Sequence, residues 1–359
     1  MTVETTDLRP GHRISRVIRG GWQLAGDHGA VDRTTAIRDM EAFIDAGITT
    51  FDCADIYVGV EEMIGDFIAD LRRRRGASVA NRVCVHTKLV PDLTLLDTIK
   101  PSDVEAIIDR SLRRLQVEQL DLVQFYWWDL NLGDPLEGFS ILKELQAKGK
   151  IRTLGLTNWD RTQIAPYVEA GFDIASAQVQ YSVLDRRPTH GLSDYAAAHD
   201  MQLLCYGTLA GGFLTETWLN QPDPGFAFEN RSLVKYRLII DEFGDWPRFQ
   251  ELLRALKAVG DKHGVSLSAA ATRWVLDQPQ VAAGIVGARY ARHLPKTLEI
   301  FNLSLDDEDR TALDAVISQA DGPRGDVFAL EADRTSRHGR IMKYNLNTKP
   351  DDKVFSENG

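Results

Sequence analysis

The sequence predicts an α/β chain closed as a (β/α)8 TIM barrel, on three observations. Short apolar or β-branched runs alternate with longer segments whose apolar residues recur every three or four positions. The strand-like runs number eight, the count that a closed barrel of this type needs. Neither GxGxxG after the first strand nor GxxxxGK[ST] occurs, so the open-sheet nucleotide folds lack their usual marker.

The strand candidates are residues 14–19, 49–53, 83–87, 120–126, 153–156, 176–180, 202–206 and 282–286. Helical periodicity is clearest over 103–115 and 135–145. Ser102 and Asp134 stand where N-caps are expected, and Gly149 and Gly171 where helices close. Parallel strands need such crossover helices. Two segments break the alternation. Residues 208–246, with LAGG and the turn-prone QPDPG, are too long for a plain βα turn and read as a loop shaping a ligand site. The stretch after Gly322 carries Arg334, Arg337, Arg340 and Lys343, and reads either as a solvated tail or as a flap over the barrel mouth. With no linker elsewhere, residues 1–322 read as one barrel domain and 323–359 as the tail or flap.

Composition bounds the function. The 359 residues carry a net charge of -10, which disfavours nucleic acid and anionic membrane as partners but leaves room for a local basic pocket. No run approaches a membrane span, and the N-terminal residues lack the apolar core of a signal peptide. Cys53, Cys84 and Cys205 are far apart and odd in number. They form no metal spacing and suggest buried small hydrophobes in a reducing, cytoplasmic setting.

The most informative segment is GITTFDCADIYVGVEEMIG, residues 47–65. A strand delivers Asp52 at its end, Tyr57 follows in the βα loop, and the next strand, VCVHTK, ends in Lys88. Barrel enzymes place their catalytic groups on this rim. A phenol titrates near 10 in water, too high for free proton exchange at neutral pH. A neighbouring ammonium is expected to lower that value, with a carboxylate fixing the ammonium.

The run FDCADIY with GVEEMIG resembles the first signature of the aldo-keto reductases. The resemblance continues through SLRRLQVEQLDLVQF, LKELQAKGKIRTLGLTNW, QVQYSVLD, YGTLAGGFL and IVGAR, and covers residues 14–318. It implies an N-terminal hairpin closing the barrel bottom, metal-independent chemistry on a small carbonyl or alcohol, and NAD(P)(H) extended across the top, while the positive charge of Arg289, His293 and Lys296 suggests NADPH over NADH. By position it implies that Tyr57 exchanges the proton, tuned by Lys88 and Asp52. Asn158 and Gln178 would hold the nicotinamide carboxamide and Tyr206 would stack on the ring. Leu209, Ala210 and Gly211 would line the pyrophosphate, with Trp22 and Gly287 also at the cofactor.

The sequence departs from the family pattern in two places. Where the family carries a histidine that orients the substrate oxygen, this chain has Tyr126. A tyrosine hydroxyl also donates a hydrogen bond, but from farther out, so a narrower site is expected. His86 shares a strand face with Lys88 and reads either as an inward-reaching substitute or as a buried structural histidine. Near Lys296 and Thr297 the family's acid–amide pair is missing. Arg289, His293 and Lys296 instead offer positive charge for a 2′-phosphate. Trp22, Trp127 and Trp128 read as pocket walls or as core. A non-catalytic nicotinamide-binding protein and a Lys88 Schiff-base isomerase or lyase remain as alternatives.

Overall fold

The computed structural model describes residues 2–25, 31–228 and 230–347. An antiparallel hairpin of β1 (Thr5–Arg9) and β2 (His12–Ser15) precedes eight parallel strands. These are β3 (Val17–Gly20), β4 (Thr50–Asp52), β5 (Cys84–Leu89), β6 (Leu120–Phe125), β7 (Ile151–Thr157), β8 (Ser176–Gln180), β9 (Gln202–Tyr206) and β10 (Val281–Gly287). They pair in chain order, and β10 closes onto β3. The expected fold class is therefore the observed one.

The core divides as a barrel requires. A small inner cluster joins Ile18, Cys84, Leu122, Leu204 and Ile285 from five strands, and the hairpin adds Leu8 and Ile14. The hairpin thus plugs the end where the strands begin. Burying each of those two side chains is worth about 1.5–3 kcal/mol. The much larger outer cluster packs the other strand faces against the helices.

Several boundaries differ from the sequence reading. Residues 14–19 are two strands, because the chain leaves the hairpin and enters the barrel at Arg16. The helix Pro101–Leu115 starts one residue before Ser102; Pro101 takes the first position, and Asp103 accepts the Lys100 N–H at 2.8 Å. Asp134 does cap Pro135–Ala147, accepting from Glu137 N. Gly149 and Gly171 both have positive φ after their helices.

The stretch 208–246 is not a plain loop. It contains the helix Arg231–Phe243, whose N-cap Asn230 accepts the Ser232 N–H at 2.7 Å. This helix crosses the mouth at the C-terminal ends of the strands. Trp22 Nε1 donates to Ser232 Oγ at 2.9 Å, and Arg231 donates to Ile341 O at 3.1 Å. Residues 323–347 lie over the same face. Glu331 pairs with Arg187 at 2.9 Å, Arg334 with Asp129 at 2.8 Å, and Leu346 and Asn347 donate their N–H groups to Asp92.

Candidate active site

Strand register brings the chemistry to one level of the barrel. Asp52 is the last residue of β4, with His86 of β5 beside it; two residues on, Lys88 pairs with Gln124 of β6. Lys88 Nζ lies 2.8 and 2.9 Å from the two Asp52 oxygens and donates to Cys53 O at 2.8 Å. Gln178 donates to Asp52 Oδ1 at 2.6 Å and Gln124 to the same oxygen at 3.3 Å. Tyr57 stands over this pair, with Lys88 Nζ 5.2 Å from its ring centroid.

The electrostatics of Tyr57 correct one expectation. Burial is the dominant influence and pushes the phenol up; Lys88 pulls it down, and Asp52 opposes Lys88, leaving it at about 12. The ammonium therefore limits the rise without reversing it. For Lys88 burial is the largest influence and disfavours the charge, but the charge and hydrogen bonds of Asp52, with Tyr57, together outweigh it and keep the amine charged. Both partners are almost fully buried, so breaking the pair by removing one charge carries a cost of about 3–5 kcal/mol.

Tyr126 follows β6 on the same rim, its N–H bonded to Leu89 O. Its ring meets Trp128 at 4.9 Å and Phe328, from the C-terminal stretch, at 5.9 Å. Trp128 in turn meets Tyr344 at 4.9 Å, and Trp22 meets Tyr57 at 4.9 Å. An aromatic wall thus rises above the acid–base group, and the C-terminal residues complete it. Trp127 is core: it is 2% exposed, and its Nε1 donates to Leu132 O. His86 is fully buried one turn of the pleat below Lys88, edge-on to His12 at 5.5 Å, so it faces the barrel bottom rather than replacing the missing histidine.

The residues expected around a nicotinamide are brought together but already bonded to one another. Tyr206 donates to Asn158 Oδ1 at 2.8 Å, and Gln178 is committed to Asp52. Lys235 Nζ sits 5.0 Å from the Tyr206 ring centroid, on the aromatic expected to stack. Burial disfavours the Lys235 charge, and Glu331, 3.6 Å away, counters that only in part. Glu331 itself is held down at about 2: burial opposes its charge, but Lys235 and Arg187 more than offset it.

Leu209 precedes a turn in which Ala210, Gly211 and Gly212 all have positive φ. Tyr236 packs against this backbone, and a Cβ on Gly211 would lie 2.7 Å from its ring. Gly287 ends β10 beside Gly20, with the Gln23 side chain against it. Beyond it, Arg292 Nε lies 3.1 Å from His293 Nε2, and Arg289 and Arg292 both flank Tyr290. Burial, then Arg292 and Lys296, lower the pKa of His293, a sign of crowded positive charge. Lys296 is partly engaged, 3.3 Å from Glu216. Sequence reading missed Arg292, Lys235, Tyr236 and Glu331. Only Arg292 had a local signal, its place inside a basic run.

An eight-stranded parallel barrel with a buried carboxylate–ammonium–phenol group on its C-terminal rim defines a class of protein. The family model for the aldo/keto reductase family matches residues 16–318, and the chain belongs to that family. It is 30% identical over 328 residues to aldo-keto reductase YhdN of Bacillus subtilis, covering 87% of this chain and 94% of that protein. The NADH-specific methylglyoxal reductase of Escherichia coli is 24% identical over 335 residues, covering 86% and 95%. Among solved structures, the glycerol dehydrogenase AKR11B4 from Gluconobacter oxydans superposes with a TM-score of 0.72 at 28% identity, covering 87% of this chain and 94% of that one. The chain is thus of an oxidoreductase family. Among the described residues no helix is long and apolar enough to cross a membrane.

Proposed function

We propose that this protein interconverts an aldehyde or ketone and the matching alcohol with NAD(P)(H), Tyr57 serving as general acid and base. The observation that carries the reading is the buried Lys88–Asp52 pair set beneath the Tyr57 ring. The named relatives are reductases or dehydrogenases of small oxygenated molecules, in keeping with it. The site fits a dinucleotide at its adenine end, where Arg289, Arg292 and His293 gather beyond β10 and suit a 2′-phosphate, favouring NADP. Asn158, Gln178 and Tyr206 would hold the nicotinamide, with Leu209, Gly211 and Gly287 as the backbone along it and Trp22 at its edge. Entry requires the helix Arg231–Phe243 to move, because Tyr236 rests on Gly211.

The nicotinamide, when bound, supplies or accepts the hydride. The chain's residues handle the proton. Tyr57, kept protonated by burial, donates its hydroxyl proton to the carbonyl oxygen as the alcohol forms. Lys88 stabilises the phenolate left behind, and Asp52 keeps Lys88 charged and oriented. Tyr126, on the same rim at the end of β6, offers a second hydroxyl to the substrate oxygen. The aromatic wall of Trp22, Tyr126, Trp128 and Phe328 excludes water and favours compact, partly apolar carbonyl substrates.

Titration with NADPH and NADH by quenching of tryptophan fluorescence, followed by a carbonyl panel, tests the reading. Tyr57→Phe is expected to keep dinucleotide affinity and lose about 10²–10⁴-fold in turnover. Full turnover in that variant would remove the assignment. Tight binding without turnover on any substrate would make the protein a dinucleotide-binding regulator instead.

A further inference from the structure

The inward face of β5 reads Cys84, His86, Lys88, because alternate residues of a strand share a face. Lys88 serves the upper site; the other two residues lie at the opposite end of the barrel, and His12 of the hairpin meets them there. His12 Nε2 is 3.3 Å from Cys84 Sγ, and ligand atoms of His12, Cys84 and His86 all lie within 4.8 Å of one another. His86 is fully buried and neither ring nitrogen has a hydrogen-bond partner. Leaving such a group unpaired in the interior costs about 1–3 kcal/mol, so its persistence beside two other donors calls for an explanation.

We propose that His12, Cys84 and His86 form a binding site for one divalent zinc ion, which pins the hairpin to the barrel. Two imidazoles and a thiolate are the donors that zinc prefers, and bonds of about 2.0–2.3 Å place tetrahedral ligands about 3.5 Å apart, close to the His12–Cys84 separation. His12 is already oriented. Its Nδ1 lies 2.7 Å from Thr153 Oγ1, and an N–H donated there leaves the Nε2 lone pair facing Cys84, the outer-shell arrangement of zinc-bound histidines. A cavity of about 570 Å³, lined by Cys84, Arg13, Asp121 and Arg152 among others, opens at this end and approaches the site on its Cys84 side. Arg152 opposes a cation, and its 3.1 Å pairing with Asp121 balances that charge. On binding, the Cys84 thiol loses its proton to solvent as the thiolate bonds the ion. In sequence Cys53, Cys84 and Cys205 form no metal spacing, because the proposed ligands come from the hairpin and a barrel strand and only one of them is a cysteine.

The full-length protein, stripped with a chelator, is titrated with zinc and its metal content measured after gel filtration. A parallel titration with cadmium reads the thiolate-to-metal absorption band. The expected result is one zinc per chain, a cadmium band, and a melting temperature several degrees higher with zinc. Cys84→Ser should abolish the band, and His86→Gln should weaken zinc binding at least tenfold. Absence of the band in the unmodified protein, or its survival in Cys84→Ser, overturns the proposal. Zinc bound without a thiolate band also overturns it, since the ion then sits away from Cys84, for example at the His263–Asp306–Asp309 group.

Discussion

At the scale of single residues, the quantity that decides the proposed reaction is where Tyr57 gives up its proton. Burial raises its pKa to about 12, Lys88 notwithstanding, so the phenol is protonated across the neutral range. That state is ready for reduction, whereas alcohol oxidation needs the phenolate, whose fraction grows tenfold per pH unit below the pKa. Reduction measured from pH 6 to 9 is therefore expected to vary little from this group, while oxidation climbs throughout. Oxidation that levels off near neutral pH would show that bound substrate and cofactor shift the phenol down far more than Lys88 does alone. In the same proposed reaction Tyr126 is the second residue expected to set selectivity. Its ring is 5% exposed and wedged between Trp128 and Phe328, so a smaller imidazole opens room beside the substrate oxygen. Tyr126→His should extend turnover to bulkier carbonyls, and a carbonyl panel unchanged or poorer throughout would deny Tyr126 its part in selectivity.

At the scale of elements, the proposed dinucleotide entry depends on the helix Arg231–Phe243. Trp22 holds its start, Tyr236 rests on Gly207 and Gly211, and Lys235 reaches Glu331. If only a fraction of molecules has this helix displaced, apparent dinucleotide affinity is the intrinsic affinity multiplied by that fraction. Tyr236→Ala removes the ring from the glycine backbone and should raise the NADPH association rate about tenfold in stopped-flow fluorescence; an unchanged rate would mean that the helix does not gate entry. This element also marks where sequence reading fell short. The apolar positions Leu233, Tyr236 and Ile240 carry a helical period, but QPDPG just before them reads as the start of an irregular loop. Nothing local announces that the helix crosses the barrel mouth, since its contacts reach back to residue 22 and forward to residue 341. The barrel strands were legible for the opposite reason: most are short, largely apolar runs buried on both faces, a pattern that needs no knowledge of distant partners. Asp52 and Lys88 were legible as the ends of two such runs, whereas the bonds from Gln178 to Asp52 and from Tyr206 to Asn158 depend on barrel closure.

At the scale of the whole molecule, a buried carboxyl links the barrel rim, an outer helix and the C-terminal stretch, and it makes stability depend on pH. Asp55 is 2% exposed; Oδ2 accepts the Val90 N–H at 3.3 Å and lies 3.7 Å from Arg110. Arg110 and Val90 O in turn bond the Asn347 side chain. Burial raises the Asp55 carboxyl from 3.8 to about 7; Arg110 lowers it, and Glu61 adds to the rise. The folded chain thus keeps a proton that the unfolded chain releases above pH 4. Its contribution to stability is complete below the unfolded value and is lost as pH rises through about 7, a change of at most about 4 kcal/mol. Asparagine at this position is neutral at every pH and nearly the same shape. Asp55→Asn should therefore match the parent in urea midpoint near pH 4 and exceed it increasingly toward pH 8. The two curves running parallel across that range would mean that Asp55 is already ionised in the folded protein at low pH, held so by Arg110, and that the C-terminal stretch is anchored by an ion pair rather than by a neutral acid.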